Sequence, residues 1–140
     1  MLKRKLRARL LEWKNTQNKK CLLVKGARQV GKTTTIEEFA KEHYAHYVYL
    51  NFDKTPDYQG IFNGNLDVET LIKNISLVFP HAELVPGETL IFLDEIQECP
   101  NARTALKFLT LDGRFDVIAS GSMLGIKYKE VRSYPVGQVD

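Results

Sequence analysis

The chain has 140 residues, of which 44% are hydrophobic and 26% are charged, an ordinary composition for a globular protein. This length predicts one domain with a buried core, and the absence of a signal peptide or of an apolar run of roughly 18 residues predicts a cytoplasmic, non-membrane protein. The first 20 residues hold eight Lys or Arg against one acid and so carry +7, whereas the whole chain carries only +3.

The basic amino terminus is predicted to form a helix over residues 2–14. An apolar stripe at helical spacing supports that prediction: Leu2, Leu6, Leu10 and Trp13. We therefore divide the chain into a basic N-terminal helix packed on the domain, residues 1–18, and a core over residues 19–140 that is incomplete at its C-terminus. Two interpretations of the charge stay open, a solvated basic face or contact with nucleic acid.

A phosphate-binding loop is predicted at residues 26–33, whose sequence Gly-Ala-Arg-Gln-Val-Gly-Lys-Thr fits G-x-x-x-x-G-K-[ST]. The apolar run at 21–24 predicts a strand before it, and residues 34–42 predict a helix after it. Glycines let backbone amides surround phosphates at the helix N-terminus. Lys32 is expected to reach the β- and γ-phosphates, and the Thr33 hydroxyl to bind Mg²⁺. The expected nucleotide-binding residues are Gly26, Ala27, Arg28, Gln29, Val30, Gly31, Lys32, Thr33 and Thr34.

The remaining chain alternates predicted strands with predicted helices. Strands are expected at residues 47–52, 89–93 and 115–119, separated by helices that begin after Asp67 and near Arg103. Between the first of these strands and Asp67 the chain is polar and turn-prone. Alternation of this kind predicts βαβ units with a mostly parallel sheet. The predicted fold class is therefore α/β.

Two acids follow the apolar strand Leu90-Ile91-Phe92-Leu93 directly. The position puts Asp94 and Glu95 at the carboxyl end of a buried strand, where open α/β sheets bind ligands. Together with a phosphate loop about 60 residues earlier, this pattern predicts that Asp94 holds Mg²⁺ and that Glu95 is the general base for a water attacking the γ-phosphate.

The last predicted strand ends in Ser120-Gly121-Ser122. If this strand lies between the first and third strands, its polar end is beside the γ-phosphate, and Ser120 or Ser122 senses the phosphate or positions the water. A glycine-containing turn with capped hydroxyls is the alternative. The sequence does not choose between the two serines.

The motifs G-A-R-Q-V-G-K-T, L-D-E-I-Q and A-S-G-S resemble the ATPase domain of a prokaryotic AAA-type P-loop family, whose members usually carry a C-terminal domain of uncharacterised function. The segments L-L-E-W-K, N-F-D-K and S-Y-P-V-G-Q-V-D are similar to members of one subgroup. The resemblance implies a three-layer αβα sandwich of the additional-strand-catalytic-glutamate type, with sheet order 5-1-4-3-2. It also implies ATP and Mg²⁺, with Lys32, Thr33, Asp94 and Glu95 in the roles above and Ser120 or Ser122 as sensor.

Compared with those relatives, the chain is expected to be truncated after the sensor region and to lack the last strand of the sheet. The phosphate-loop strand would then lie at a sheet edge with unpaired backbone groups. We expect a second copy of the chain or another partner to cover that edge.

Three hypotheses of function follow. The leading one is an ATP-binding, Mg²⁺-dependent domain that hydrolyses the β–γ phosphate bond. The alternative is a catalytically incompetent nucleotide-binding fragment or interaction module left by truncation of a longer ATPase. The third is a nucleotide switch associated with nucleic acid through the basic amino terminus.

Overall fold

One parallel sheet organises the fold, in a computed structural model that describes residues 2–25, 31–122 and 137–139. The strand order is β2-β3-β4-β1-β5, and each pair of neighbouring strands is parallel. This confirms the predicted α/β class and the order 5-1-4-3-2. The strands are β1 (Leu22–Lys25), β2 (His46–Asn51), β3 (Thr89–Asp94), β4 (Asp116–Gly121) and β5 (Gly137–Val139).

The helices connect the strands as predicted, with some differences at their ends. They are α1 (Leu2–Lys14), α2 (Lys32–His43), α3 (Val68–Val78) and α4 (Pro100–Asp112). The side chain of Asp67 accepts from the backbone N–H of Thr70 and caps α3, which begins directly after Asp67 as predicted. The helix expected to begin near Arg103 begins at Pro100, because a proline in the first turn gives up no intrahelical hydrogen bond. No helix in the described part of the chain is long and apolar enough to cross a membrane.

The sheet separates two apolar clusters, because alternate residues of each buried strand point to opposite faces. Leu90 and Phe92 of β3 belong to the cluster that contains α1 and α2, whereas Ile91 and Leu93 belong to the cluster that contains α3 and α4. All six residues of β3 are buried. By this alternation, Asp94 lies on the same face as Leu90 and Phe92, toward α2.

The expectation that the chain lacks the last strand is wrong. Residues Gly137–Val139 form β5, whose backbone pairs in parallel with Leu22, Leu23 and Val24 of β1. The strand is short, with three residues, but it lies on the side of β1 that was expected to be open. Pairing satisfies backbone groups of β1 that would otherwise form an exposed edge. A separate partner is therefore not required to cover this part of the edge.

The basic helix α1 lies against α2. Leu10 and Trp13 are buried among residues that include Ile36 and Phe39 of α2. Beside this apolar contact, the Arg7 guanidinium donates to both carboxylate oxygens of Glu42 at 2.8 Å. Salt bridges further join α1 to Glu38: Lys3 Nζ at 3.0 Å and Arg7 Nη1 at 3.6 Å. Acids of α2 thus neutralise part of the basic charge of α1.

Candidate nucleotide and magnesium site

Thr33 and Asp94 are 61 residues apart in sequence and are in direct contact in the structure. The Thr33 hydroxyl donates to Asp94 Oδ2 at 2.9 Å. Thr33 lies in the first turn of α2, and Asp94 is the last residue of β3 and only 3% exposed. The parallel sheet brings the two together because α2 begins, and β3 ends, at the same edge of the sheet.

The start of α2 supplies the described part of the phosphate loop. Gly31 precedes the helix with φ 98°, a left-handed conformation that favours glycine, and its carbonyl accepts from the backbone N–H of Thr35 at 2.8 Å. Lys32 is the first residue of α2, and Thr34 is exposed in its first turn. The other predicted loop residues lie outside the described part of the chain: Gly26, Ala27, Arg28, Gln29 and Val30.

The Asp94 carboxylate accepts two further hydrogen bonds. Oδ2 accepts from the Tyr49 hydroxyl at 2.7 Å, and Oδ1 accepts from the backbone N–H of Glu95 at 2.9 Å. Tyr49 is in β2, the neighbour of β3, and its hydroxyl accepts from Asn51 Nδ2 at 3.0 Å. The side chain of Asp94 is therefore held by donors from three parts of the chain, namely α2, β2 and the turn after β3.

Glu95 has an unusual backbone conformation and a defined side-chain partner. Its φ of 54° and ψ of 48° lie in the left-handed region, which costs a residue other than glycine about 1–2 kcal/mol. Such strain persists where the surroundings impose it. Gln97 Nε2 donates to Glu95 Oε1 at 2.8 Å, and Gln97 Oε1 accepts from the backbone N–H of Ser122 at 3.2 Å. Gln97 thus joins Glu95 to the chain at the end of β4.

The two candidate sensor serines differ in their surroundings. Ser120 is only 2% exposed and pairs in register with Val24 of β1. Ser122 follows the end of β4 and is partly exposed. β4 lies between β1 and β3, the position expected for the strand that ends beside the γ-phosphate. Ser120 lies within this strand, and Ser122 comes directly after its last residue, Gly121.

Burial and neighbouring charges both affect the pKa of Lys32. Burial lowers the pKa of Lys32 below its usual value, and the carboxylates of Asp94 and Glu95 act in the opposite direction. An ammonium group that is partly desolvated gains more from a nearby anion than one in bulk water does. Burial raises the pKa of Tyr49, the hydrogen bond from Asn51 opposes this change, and the hydrogen bond to Asp94 raises the pKa further, so the Tyr49 hydroxyl keeps its proton as a donor at neutral pH.

The oxygen atoms of Thr33 and Asp94 fit a magnesium ion. The Thr33 hydroxyl donates its single hydrogen bond to Asp94, so the lone pairs of its oxygen remain available to a cation. Mg²⁺ prefers oxygen ligands and usually combines one or two protein groups with water and substrate phosphates. Within the described ranges, no group of three or more His, Cys, Asp or Glu side chains could hold a metal. A metal here would therefore need phosphate or water oxygens as well.

Three residues of this network were not identified as functional from the sequence. In the sequence Tyr49 is only one residue of the predicted strand over 47–52, and Asn51 is only the first residue of the N-F-D-K segment. Gln97 was noted only as the last residue of the L-D-E-I-Q motif, with no role assigned to it. Its spacing of two residues from Glu95 does not predict a contact, because residues two apart do not share a face of a 3₁₀ turn, and only the structure shows their hydrogen bond.

Comparison with known proteins identifies a family for this chain. The model of a family described as AAA domain matches residues 18–140 of the chain. No curated protein shows significant sequence similarity to it.

Solved structures share the fold at low sequence identity. PCH-2 of C. elegans is 17% identical with a TM-score of 0.54, and the match covers 99% of this chain and 42% of PCH-2. The Aeropyrum pernix ORC1 protein in complex with DNA is 14% identical with a TM-score of 0.58, covering 98% of this chain and 43% of that one. A chain of Drosophila ORC bound to DNA is 13% identical with a TM-score of 0.57, covering 99% and 88%. This chain thus spans less than half of the first two structures.

Proposed function

Because this chain belongs to the AAA domain family, we propose that it binds ATP together with Mg²⁺ and hydrolyses the β–γ phosphate bond. The observation that carries the proposal is the 2.9 Å hydrogen bond from Thr33 to Asp94. It joins the end of the G-x-x-x-x-G-K-[ST] pattern to the first of the two acids after β3, and these are the elements that hold a nucleotide and its metal in P-loop proteins.

Binding would depend on charge and on backbone amides. The N-terminus of α2 offers unsatisfied amides and the positive end of the helix dipole to a phosphate chain. Lys32, at the first position of that helix, adds an ammonium group that is partly withdrawn from water. A triphosphate would give Lys32 anionic partners in addition to Asp94 and Glu95, and we assign the contact with the β- and γ-phosphates to it.

Thr33 and Asp94 would hold the metal. When bound, Mg²⁺ would neutralise charge that develops on the phosphates during transfer. Thr33 would be a ligand through its hydroxyl oxygen. Asp94 already accepts three hydrogen bonds, two of them on Oδ2, so it would orient Thr33 and metal-bound water.

Glu95 would act as the general base. A water oxygen attacks the γ-phosphorus, the bond to the β–γ bridging oxygen breaks, and that oxygen leaves with ADP. The proton of the attacking water passes to the Glu95 carboxylate. Gln97, bound to Glu95 Oε1, limits the orientations of that carboxylate. We assign the sensing role to Ser122, since its backbone is linked to Glu95 through Gln97 while Ser120 is buried.

A catalytically incompetent nucleotide-binding module remains the alternative hypothesis. One argument for this hypothesis was the expected loss of the fifth strand, and the presence of β5 weakens that argument. The division into a basic helix over residues 1–18 and a core over residues 19–140 is part of our proposal, and the family match beginning at residue 18 supports it.

A role with nucleic acid has less support. Two of the three solved structures described above contain DNA. In this chain, however, basic side chains of α1 are engaged by acids: Lys3 and Arg7 by Glu38 and Glu42, and Arg9 by Glu12. That pairing reduces the positive potential available to a phosphate backbone.

The proposal is tested by two measurements on the 140-residue chain: the affinity for ATP with and without Mg²⁺, and hydrolysis in a single turnover with enzyme in excess. Binding that tightens with Mg²⁺, together with release of phosphate, is the expected result. Binding without hydrolysis would support the incompetent module instead. A folded chain that does not bind ATP would contradict both.

A further inference from the structure

The hydroxyl of Tyr49 lies at the centre of a hydrogen-bonded chain that ends on the candidate metal site. It donates to Asp94 Oδ2 at 2.7 Å, the same oxygen that accepts from Thr33 at 2.9 Å. It also accepts from Asn51 Nδ2 at 3.0 Å. Asn51 is only 7% exposed, and its side-chain oxygen accepts from the backbone N–H groups of Asp53 and Lys54. The nitrogen and the oxygen of the Asn51 side-chain amide are therefore both hydrogen-bonded.

The ring of Tyr49 has few alternative positions. It packs against Phe92 at 5.2 Å between ring centroids and stacks on Tyr47 at 6.3 Å. In the register of β2 and β3, Tyr49 is opposite Phe92 and Asn51 is opposite Asp94, so these residues share one face of the sheet. The hydroxyl consequently reaches Asp94 from a rigid strand position.

The hydrogen bond from Tyr49 to Asp94 is expected to affect the affinity for the metal. A carboxylate that is free to rotate loses conformational entropy when it is held in one orientation, and this loss weakens binding. Residues that hydrogen-bond a metal's protein ligands typically change metal affinity by about 10–100-fold when they are removed. Tyr49 acts one step further from the metal, because it hydrogen-bonds the Asp94 carboxylate, which in turn orients Thr33, the proposed ligand.

We propose that Tyr49 is a positioning residue for the magnesium site, whose hydroxyl holds the Asp94 carboxylate in the orientation that pairs with Thr33. The proposal rests on the Mg·ATP function given above and extends it to β2, a strand outside both sequence motifs. Asn51 supports Tyr49 and couples it to the turn after β2.

Tyr49→Phe is the direct test, because it removes the hydroxyl and keeps the ring that packs on Phe92. Tyr47→Phe is the matched control. Tyr47 lies two residues earlier in the same strand and on the same face, but its hydroxyl donates to Glu37 Oε2 at 3.5 Å instead of to Asp94. Thermal unfolding of both variants verifies that each is folded.

Affinity for a fluorescent ATP analogue is then measured in EDTA and over a series of Mg²⁺ concentrations. In EDTA the wild-type chain and both variants should bind equally. The Mg²⁺ concentration giving half of the gain in affinity should rise about tenfold in Tyr49→Phe and stay unchanged in Tyr47→Phe.

The outcomes separate this inference from the function on which it rests. A Tyr49→Phe variant with the wild-type Mg²⁺ dependence would overturn the role of Tyr49 while leaving the proposed function intact. An equal shift in both variants would do the same, since it would reflect general loosening of β2. A wild-type chain whose ATP affinity does not respond to Mg²⁺ would overturn both.

Discussion

The side-chain amide of Gln97 donates from Nε2 to Oε1 of Glu95 at 2.8 Å, while its oxygen accepts from the backbone N–H of Ser122. The orientation of the candidate general base is therefore tied to the end of β4, the strand whose end we place beside the γ-phosphate. A rearrangement there would be transmitted to Glu95 through one side chain. This link makes Gln97 a candidate for coupling nucleotide state to catalysis.

Replacing Gln97 by Ala should lower the rate of single-turnover ATP hydrolysis by about tenfold to a hundredfold, because Glu95 loses a hydrogen bond that orients it. The dissociation constant of ATP should stay unchanged. Glu98→Ala, an exposed neighbour in the same turn, is the control and should alter neither quantity. A weakened ATP affinity in Gln97→Ala would show that Gln97 acts on binding.

Glu95→Gln should preserve Mg·ATP binding and lower the single-turnover rate by about 10²–10⁴-fold, since an amide cannot accept the proton of the attacking water. Binding is measured by fluorescence titration and turnover by phosphate release. Glu98→Gln removes an equivalent charge three residues away and should leave turnover intact. Hydrolysis at the wild-type rate in Glu95→Gln would rule out Glu95 as the base.

Lys32→Ala should weaken ATP binding by about tenfold to a hundredfold, the loss expected for hydrogen bonds to a charged group. The effect should be present in EDTA as well, because Lys32 contacts phosphate directly in our proposal. Lys41→Ala is matched to it, with the same charge removed from the last turn of α2. Similar losses in both variants would indicate a general electrostatic effect.

Asp67 gives a prediction for the pH dependence of stability. Hydrogen bonds from the Thr70 hydroxyl and backbone N–H lower the pKa of Asp67 below its usual value. A carboxyl whose pKa is lower in the folded state stabilises the protein above its unfolded pKa of about 3.9 and loses this contribution as pH falls through the folded value.

The thermal midpoint of Asp67→Ala should therefore lie below that of the wild type at neutral pH, and the difference should shrink below about pH 4. Asp67→Asn keeps a capping acceptor without the charge, so it should remain close to the wild type at neutral pH. Differential scanning calorimetry from pH 3 to 7 measures the difference. A difference that is constant across this range would mean that ionisation of Asp67 does not contribute.

Local sequence determined most elements of the fold and the positions of two motifs. The strand over residues 89–93 and the capped helix after Asp67 followed from patterns that involve only neighbouring residues, and the structure contains both. Thr33 and Asp94 were likewise selected by residue type and position, and they are in contact. Side-chain periodicity and capping are local properties, so they can be recognised without knowledge of the fold.

Tertiary structure decided which residues from other strands contact the site. The pattern of β2 shows Tyr49 only as a strand residue, and its contact with Asp94 exists because β2 lies beside β3 in the sheet. The fifth strand was not predicted from the sequence for a related reason. Three residues have no usable periodicity, and β5 forms because backbone groups of β1 are available to pair. Pairing between distant segments depends on strand order, which no local pattern records.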